Sequence, residues 1–273
     1  MNNICFNGKL FNENEAIFTA SNRSFKYGDG IFETIKVYKG KILLEQLHYQ
    51  RLQHGLSLLR IEAKDFIQKQ HLTKTILDLC NINDCFYLAR VRLAVFRNHE
   101  NMADYVLEAL TLLPDYNKLN AEGFIIDIFS SVAKSTDAYA NIKSANYLPY
   151  ILAEINAKEK NINDCLVLNS SNLICDASKA NVFLIKNREF YTPSLDQGCV
   201  NGVMRQFLIG ELKKYNYTVH QLPVTEADLK DADEVFLTNA IYGIRWVKSF
   251  REVNYHAHTT TEIYNKILST IYK

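Results

Sequence analysis

The sequence predicts a mixed α+β fold arranged as two lobes. Patterns typical of strands and of helices both recur along the 273 residues, but they do not alternate regularly, which argues against a doubly wound parallel sheet. A hydrophobic content of 48% is enough for a sizeable core. Pro114 and the polar stretch after it predict a lobe boundary. The predicted parts are a smaller N-terminal lobe over residues 1–115, a linker over 116–121 and a larger C-terminal lobe over 122–273.

The N-terminal lobe begins with strands and turns and then changes to helical periodicity. Asn7-Gly8 lies between apolar flanks and predicts a hairpin, and Lys39-Gly40 predicts a second turn between two strands. Leucines spaced along one helical face then follow. The remaining predicted elements of this lobe are helices over about 45–60 and 64–80 and strands over 86–96 and 104–112.

The C-terminal lobe mixes short strands with three helices. It opens with the buried strand pattern "GFIIDIF", and a helix is predicted over about 144–160 with Tyr147, Ile151, Leu152 and Ile155 on one face. The short strands "CLVLNS", "LICD", "NVFLIK" and "EFYT" follow. The last predicted elements are helices over about 202–215 and from about 259, and strands near 217–222, 234–238 and 244–249.

Charge and cysteine content exclude several classes of protein. The net charge of +1 gives no electrostatic reason to expect nucleic acid or an anionic membrane as a partner. We expect no membrane span, because no long apolar run is present, and the N-terminus lacks the layout of a signal peptide. Six cysteines without a C-x-x-C pair predict reduced thiols in a cytoplasmic protein. Motifs for metal, nucleotide or serine hydrolysis are missing, so no metal site is predicted.

Two basic or glycine-containing helix segments are candidates for binding a phosphate. Gly202 stands at the start of a predicted helix, where free N–H groups and the helix dipole favour an anion. Arg51, between His48 and His54 on another helix, suits bidentate phosphate contact. Taken locally, a plain helix start and a solvated helix face are the better interpretations of these two segments.

Other polar residues occupy positions where they could line a pocket. In "GIFETIK", Phe32, Thr34 and Lys36 share one face of a strand. Asp176 follows an apolar strand and could pair with a cationic ring nitrogen, or it could cap a turn. The remaining candidates are Arg97 and His99 for a substrate carboxylate, and Asn239 and Ala240 at a strand end.

The order of six motifs along the chain is more specific than any one of them. These are "NRSFKYGDGIFETIK", "HYQRL", "IKSANYL", "DASKANVFLI", "TPSLDQGCVNGVMRQ" and "ADEVFLTNA". Together they resemble the class IV aminotransferases, the fold-type IV enzymes that use pyridoxal 5′-phosphate (PLP). The resemblance spans nearly the whole chain. It implies two lobes with PLP in the crevice between them, and a homodimer.

The resemblance also implies roles for individual residues. Lys143 is the implied Schiff-base lysine, and Arg51 is the implied phosphate arginine. Asp176 stands where the family usually has a glutamate that keeps the pyridine nitrogen protonated. Aspartate is one methylene shorter than glutamate. Either the backbone at Asp176 lies closer to the pyridine nitrogen, or a water bridges the carboxylate and the nitrogen, or the ring is less well protonated. The other implied cofactor contacts are Gly202, Val203 and Met204 at the phosphate, with Asn239 and Ala240 beside it.

The reaction that the resemblance implies begins with an external aldimine and removal of the Cα proton by Lys143. The motif "LDQGCVNGVMRQ" and the spacing of "KSAN" favour 4-amino-4-deoxychorismate lyase, whose products are pyruvate and 4-aminobenzoate for the folate pathway. The first alternative is an amino-acid aminotransferase of the branched-chain or D-amino acid type, since "FRNH" resembles the D-amino acid carboxylate site. The second is an inactive binding or regulatory protein of the same fold.

Overall fold

The computed structural model describes residues 2–63 and 68–272 and divides into two compact units. The first unit contains Met1–Pro114 with Ile142–Asn146, and the second contains Asp115–Asn141 with Tyr147–Lys273. This division differs from the predicted lobes in two places. The predicted linker over 116–121 belongs to the second unit, where the Lys118 carbonyl accepts a hydrogen bond from Arg245. The segment carrying Lys143 groups with the first unit.

The first unit is built on a six-stranded antiparallel sheet in the order β2-β1-β6-β5-β3-β4. The Asn7-Gly8 hairpin is confirmed, since both residues have positive φ and Phe6 pairs with Lys9 across the turn. The strands are β1 Asn3–Phe6, β2 Lys9–Asn12, β3 Gly30–Tyr38, β4 Lys41–Ile42, β5 Leu88–Arg97 and β6 Ala103–Thr111. The helices are α1 Arg23–Tyr27, α2 Glu45–Leu58 and α3 Lys69–Ile82.

One face of this sheet is covered by α2 and α3. Leu52 and Leu56 of α2 and Ile76 of α3 are buried in the same core as Val91 and Leu93 of β5. The helix predicted over 64–80 is observed from Lys69, and its predicted first residues over 64–67 lie outside the described part of the chain.

The second unit contains a nine-stranded mixed sheet. Its order is β12-β11-β10-β13-β14-β7-β8-β9, with β15 beside β14. The strands are β7 Phe124–Lys134, β8 Asp164–Asn169, β9 Ile174–Ala177, β10 Asn181–Lys186, β11 Glu189–Pro193, β12 Val219–Leu222, β13 Glu234–Asn239, β14 Gly243–Phe250 and β15 Val253–Asn254. The helices are α4 Leu148–Glu159, α5 Val203–Lys214, α6 Glu226–Asp231, α7 His258–Ile263 and α8 Ser269–Ile271.

Helix α4 corrects one prediction in both position and orientation. It begins at Leu148 rather than at 144, with Pro149 in its first turn, where proline fits without losing a hydrogen bond. The predicted core face is wrong for Ile151 and Ile155, which are 46% and 43% exposed, whereas Tyr147 and Leu152 pack against the core as predicted. The residues buried in α4 are Tyr150, Ala153 and Ala157.

The mixture of sheets and helices confirms the predicted α+β class. Two short helices, α1 and α6, were absent from the prediction. Among the described residues, no helix combines the length and the apolar character needed to cross a bilayer.

Candidate functional site

Lys143 is held by backbone pairing with the start of β3. The N–H of Phe32 donates to the Lys143 carbonyl at 2.9 Å, and the N–H of Ala145 donates to the Gly30 carbonyl at 2.9 Å. Ile31 and Ser144 form an antiparallel bridge between these two bonds. The lysine therefore lies on an extended segment ahead of α4.

The side chain of Lys143 lies against the polar face of β3. Its Nζ is 4.5 Å from the centroid of the Phe32 ring, a geometry in which an ammonium group is attracted by the aromatic face. Thr34 and Lys36 share this face through strand alternation, and Lys36 is fully buried. The three residues predicted to line a pocket are thus on one face, and Lys143 is against it.

The opposite face of β3 positions Arg51. The carboxylate of Glu33 accepts hydrogen bonds from Arg51 Nε at 2.8 Å and Nη2 at 2.5 Å. His48 Nδ1 lies 2.7 Å from Glu33 Oε2. Burial raises the pKa of Glu33, but the charge and hydrogen bonds of Arg51, followed by those of His48, outweigh burial and lower it to about 2. Glu33 is therefore an ionised partner that fixes the guanidinium of Arg51.

Arg97 and His99 do not join these residues. Arg97 donates from Nε to Asp29 at 2.9 Å, and from its two terminal nitrogens to Asn101 and to two main-chain carbonyls. Four of the five N–H groups of a guanidinium are then in use. His99 is exposed in the turn between β5 and β6. The geometry of the first unit gives Arg97 a structural role.

Asp176 lies in β9 of the second unit and is fully buried. Its Oδ2 accepts from the hydroxyl of Tyr150 at 2.7 Å and from the N–H of Val200 at 2.9 Å. Its Oδ1 accepts from Asn181 Nδ2 at 2.7 Å. Burial raises the pKa of Asp176, and the charge of Lys134 together with these hydrogen bonds only partly opposes that rise.

The first turn of α5 presents buried N–H groups with no acceptor in the described part of the chain. Val203, Met204 and Arg205 are 1–2% exposed, and no side chain caps this end of the helix. A buried helix start without partners is unusual unless a ligand supplies them. The N-cap residue is Gly202, and a Cβ at this position would overlap Asn181 Oδ1. The geometry is that of a site for an anionic group.

Asn239 and Ala240 form the turn after β13. Asn239 Oδ1 accepts from the N–H groups of Ile241 and Tyr242 at 2.9 and 3.0 Å, and its Nδ2 donates to the Lys179 carbonyl at 3.1 Å. The side chain of Asn239 thus shapes the turn. Among the described residues, the N–H of Ala240 has no acceptor, so this group remains open to a ligand.

The family model for Amino-transferase class IV matches residues 30–250. This range contains the β3 face, Arg51, Lys143, Asp176 and the start of α5. The chain belongs to the class IV aminotransferase family. Enzymes of this family depend on PLP, so the predicted family, enzyme class and cofactor are confirmed.

Relatives of different activity match this family member at the same sequence identity. An aminodeoxychorismate lyase of Bacillus subtilis is 28% identical over 259 residues, which cover 92% of this chain and 88% of the relative. A D-alanine aminotransferase of Listeria innocua is also 28% identical, over 244 residues that cover 86% and 83% of the two chains.

Solved structures confirm the fold. A branched-chain aminotransferase of Thermoproteus uzoniensis has a TM-score of 0.87 at 19% identity and covers 99% of this chain and 95% of its own. A putative 4-amino-4-deoxychorismate lyase of Legionella pneumophila has a TM-score of 0.82 at 24% identity, with coverage of 95% and 97%. The predicted fold-type IV architecture is therefore observed.

The residues present fit PLP. The unbonded N–H groups at the start of α5 suit a phosphate, and arginine also suits bidentate phosphate contact. Asp176 supplies a carboxylate, Lys143 supplies an amine, and PLP when bound supplies an electron sink for cleavage at the amino-bearing carbon.

Three residues that interact with the candidate residues within one unit or the other were missed by sequence reasoning. Glu33 lies on the face of β3 opposite to Phe32 and Thr34. Strand alternation could therefore have indicated it as a partner for Arg51. Tyr150 and Lys134 approach Asp176 from distant parts of the chain, and no spacing signal connects them.

Replacing Glu33 by Gln tests the buried ion pair. We expect the variant to lose about 3–5 kcal/mol of unfolding free energy near neutral pH, because Arg51 keeps its buried charge without a counter-ion. The pKa of Glu33 is depressed from 4.5 to about 2, so its contribution is complete above 4.5 and disappears as the pH falls towards 2. Urea unfolding at several pH values measures this. Glu100→Gln, at an exposed position, is the control; a Glu33→Gln loss that does not shrink in acid contradicts the assignment.

Replacing Gly202 by Ala tests the start of α5. The new Cβ would displace Asn181, which also holds Asp176, so we expect the PLP dissociation constant to rise at least about tenfold, the equivalent of one charged hydrogen bond. Gly210→Ala on the same helix is the matched control, since a Cβ there meets nothing. PLP titration that gives equal affinities for both variants would refute this role.

Proposed function

We propose that the chain is a 4-amino-4-deoxychorismate lyase that releases 4-aminobenzoate and pyruvate, and so serves folate synthesis. The observation that carries the proposal is that the guanidinium of Arg97 is used in hydrogen bonds within the first unit. Arg97 is therefore not available for a substrate carboxylate, and the resemblance of "FRNH" to the carboxylate site of D-amino acid aminotransferases loses its support. The lyase of Bacillus subtilis, which matches along 92% of this chain, supports the same choice.

The polar face of β3 also suits an acidic substrate. Thr34 pairs directly with Arg92 of β5, whose guanidinium carbon is 5.0 Å from the Phe32 ring centroid. Lys36 lies on the same face, two residues along the strand. Aminodeoxychorismate carries two carboxylates, and cations beside the reacting lysine would attract and orient them.

The residue roles we propose follow from these contacts. Lys143 would hold the cofactor aldehyde, and its Nζ would take the proton from the amino-bearing ring carbon of the substrate. Asp176 holds the proton of the pyridine nitrogen, while Arg51, Gly202, Val203, Met204 and the N–H of Ala240 hold the phosphate.

The lyase reaction needs neither water nor an oxidant, because the atoms of aminodeoxychorismate are all found in 4-aminobenzoate and pyruvate. Loss of the proton is followed by cleavage of the ether bond on the neighbouring ring carbon, and the ring becomes aromatic. The departing enolpyruvate takes up one proton and becomes pyruvate. Phe32 borders the lysine that moves this proton, and Thr34 lies on the same strand face as Phe32.

The second candidate is an amino-acid aminotransferase. It is favoured by the D-alanine aminotransferase relative and by the putative branched-chain aminotransferase of Methanocaldococcus jannaschii, each 28% identical. An aminotransferase would use the same lysine and phosphate site, so the two candidates differ in substrate and in the bond that breaks.

An assay with two substrate sets distinguishes the candidates. We expect aminodeoxychorismate to yield equal amounts of 4-aminobenzoate, followed by fluorescence, and pyruvate, followed with lactate dehydrogenase. Lys143→Ala should reduce this rate roughly a hundredfold to ten-thousandfold, the range for loss of a general base. Lys118→Ala, at an exposed lysine, should keep it. If amino acids with 2-oxo acids react and aminodeoxychorismate does not, the aminotransferase is correct.

We also propose a homodimer in the cytoplasm. The six cysteines are free and buried, which suits a reducing compartment. Leu148, Ile151 and Ile155 form an exposed apolar stripe on α4, with exposures of 43–62%. Such a stripe is typical of a surface covered by association.

Light scattering tests the dimer. We expect twice the chain mass for the parent and a shift towards the monomer for Ile151→Glu, because a charge would be buried at the contact. Lys158→Glu, at a polar position on the same helix, should remain dimeric. A monomeric parent, or a dimeric Ile151→Glu variant, would contradict this surface.

A further inference from the structure

The hydroxyl of a buried tyrosine donates a hydrogen bond to Asp176. Tyr150 is 5% exposed and lies on the buried face of α4. Its hydroxyl is 2.7 Å from Asp176 Oδ2, and the two residues are 26 positions apart in the chain. A hydrogen bond to a charged acceptor in a buried position is among the stronger ones in proteins. The contact therefore links the packing of α4 to the ionisation of the Asp176 carboxyl group.

The carboxylate of Asp176 has one acceptor position left. It can accept about four hydrogen bonds, and Tyr150, Val200 and Asn181 supply three. Two of these reach Oδ2 and one reaches Oδ1, so the remaining position is on Oδ1. The three donors fix the carboxylate plane and direct this last lone pair.

A buried lysine lies beside Tyr150, and its positive charge opposes the rise that burial causes in the pKa of Asp176. Lys134, at the end of β7, is 8% exposed, and its Nζ donates to the carbonyls of Ala140 and Gly198. In the described part of the chain, no carboxylate is within ion-pair distance of Lys134. Its Nζ lies 5.8 Å from the ring centroid of Tyr150. The charge is thus held by dipoles, and its field favours a negative charge on the neighbouring Asp176.

We propose that Tyr150 and Lys134 are positioning residues that keep the Asp176 carboxyl ionised and direct its Oδ1 towards the pyridine nitrogen of PLP. The inference rests on the proposed role of Asp176 as the partner of that nitrogen. It explains how a side chain one methylene shorter than glutamate serves in this position. Full burial alone would favour the neutral acid, which could not hold the ring proton as an ion pair.

The location of the ring proton is the direct readout. In protein loaded with PLP labelled with nitrogen-15 in the ring, the chemical shift of this nitrogen separates a pyridinium from a neutral pyridine. We expect the parent to show a pyridinium signal. In Tyr150→Phe and Lys134→Met the carboxylate loses stabilisation and becomes more basic, so the proton moves towards Asp176 and the signal moves towards neutral pyridine.

We expect the loss of the ring proton also to reduce turnover. We expect kcat to fall about tenfold to a hundredfold in Tyr150→Phe, the equivalent of one hydrogen bond to a charged group, while KM changes by less than about threefold. Tyr255→Phe is the matched control, because Tyr255 is also buried and donates to a main-chain carbonyl, that of Leu229, at 2.7 Å. It should lose comparable thermal stability and keep the parent nitrogen signal.

The outcomes separate this inference from the proposed reaction. A parent-like nitrogen signal in both Tyr150→Phe and Lys134→Met overturns the inference, whatever product the enzyme makes. If Tyr150→Phe does not fold, Lys134→Met decides alone by the same signal. A shifted signal in a protein that makes no 4-aminobenzoate supports the inference and refutes the lyase.

Discussion

The pairing of residues 143–145 with the first residues of β3 is the constraint on which the candidate site of the first unit depends. Two main-chain hydrogen bonds of 2.9 Å attach Lys143 and Ala145 to a strand that is itself paired with β5 from Gly30 to Tyr38. A lysine side chain is long and flexible, so its main chain must be fixed if the amine is to return to one position. Here the sheet fixes it.

The same strand also positions the arginine, because strand alternation sends neighbouring residues to opposite faces. Phe32 faces the lysine, whereas Glu33 faces α2 and holds Arg51. A shift of β3 by one residue would exchange the two faces and lose both contacts. The nine-residue register with β5 prevents that shift. Fold stability and site geometry therefore depend on one register in this unit.

The sequence predicted features that depend on short-range patterns better than features that depend on packing. The hairpin at Asn7-Gly8 and the start of α5 have local signals, and both were predicted correctly. The start of α4 was placed too early, although Pro149 marks it. Its buried face was only partly predicted, because Ile151 and Ile155 are exposed while Tyr150 and the small residue Ala153 are buried. The contact of Tyr150 with Asp176 has no local signal at all.

Two of the three arginines of β5, Arg92 and Arg97, show how strand parity decides which charge a substrate can meet. Arg97 has the parity of the buried residues Val91 and Leu93, and its guanidinium donates to main-chain carbonyls just beyond the end of α2. Arg92 has the opposite parity and lies beside Thr34 on the polar face. Its ion pair with Glu108 is long, at 3.8 Å, and about a third of the side chain is exposed, so the pair holds it weakly. Sequence reasoning selected Arg97 because of the histidine that follows two residues later, but proximity in sequence does not place a side chain on a face. Arg90 pairs with Lys36 and Arg92 with Thr34 on the polar face, and the weakly held Arg92 can turn towards an acidic substrate without breaking the fold.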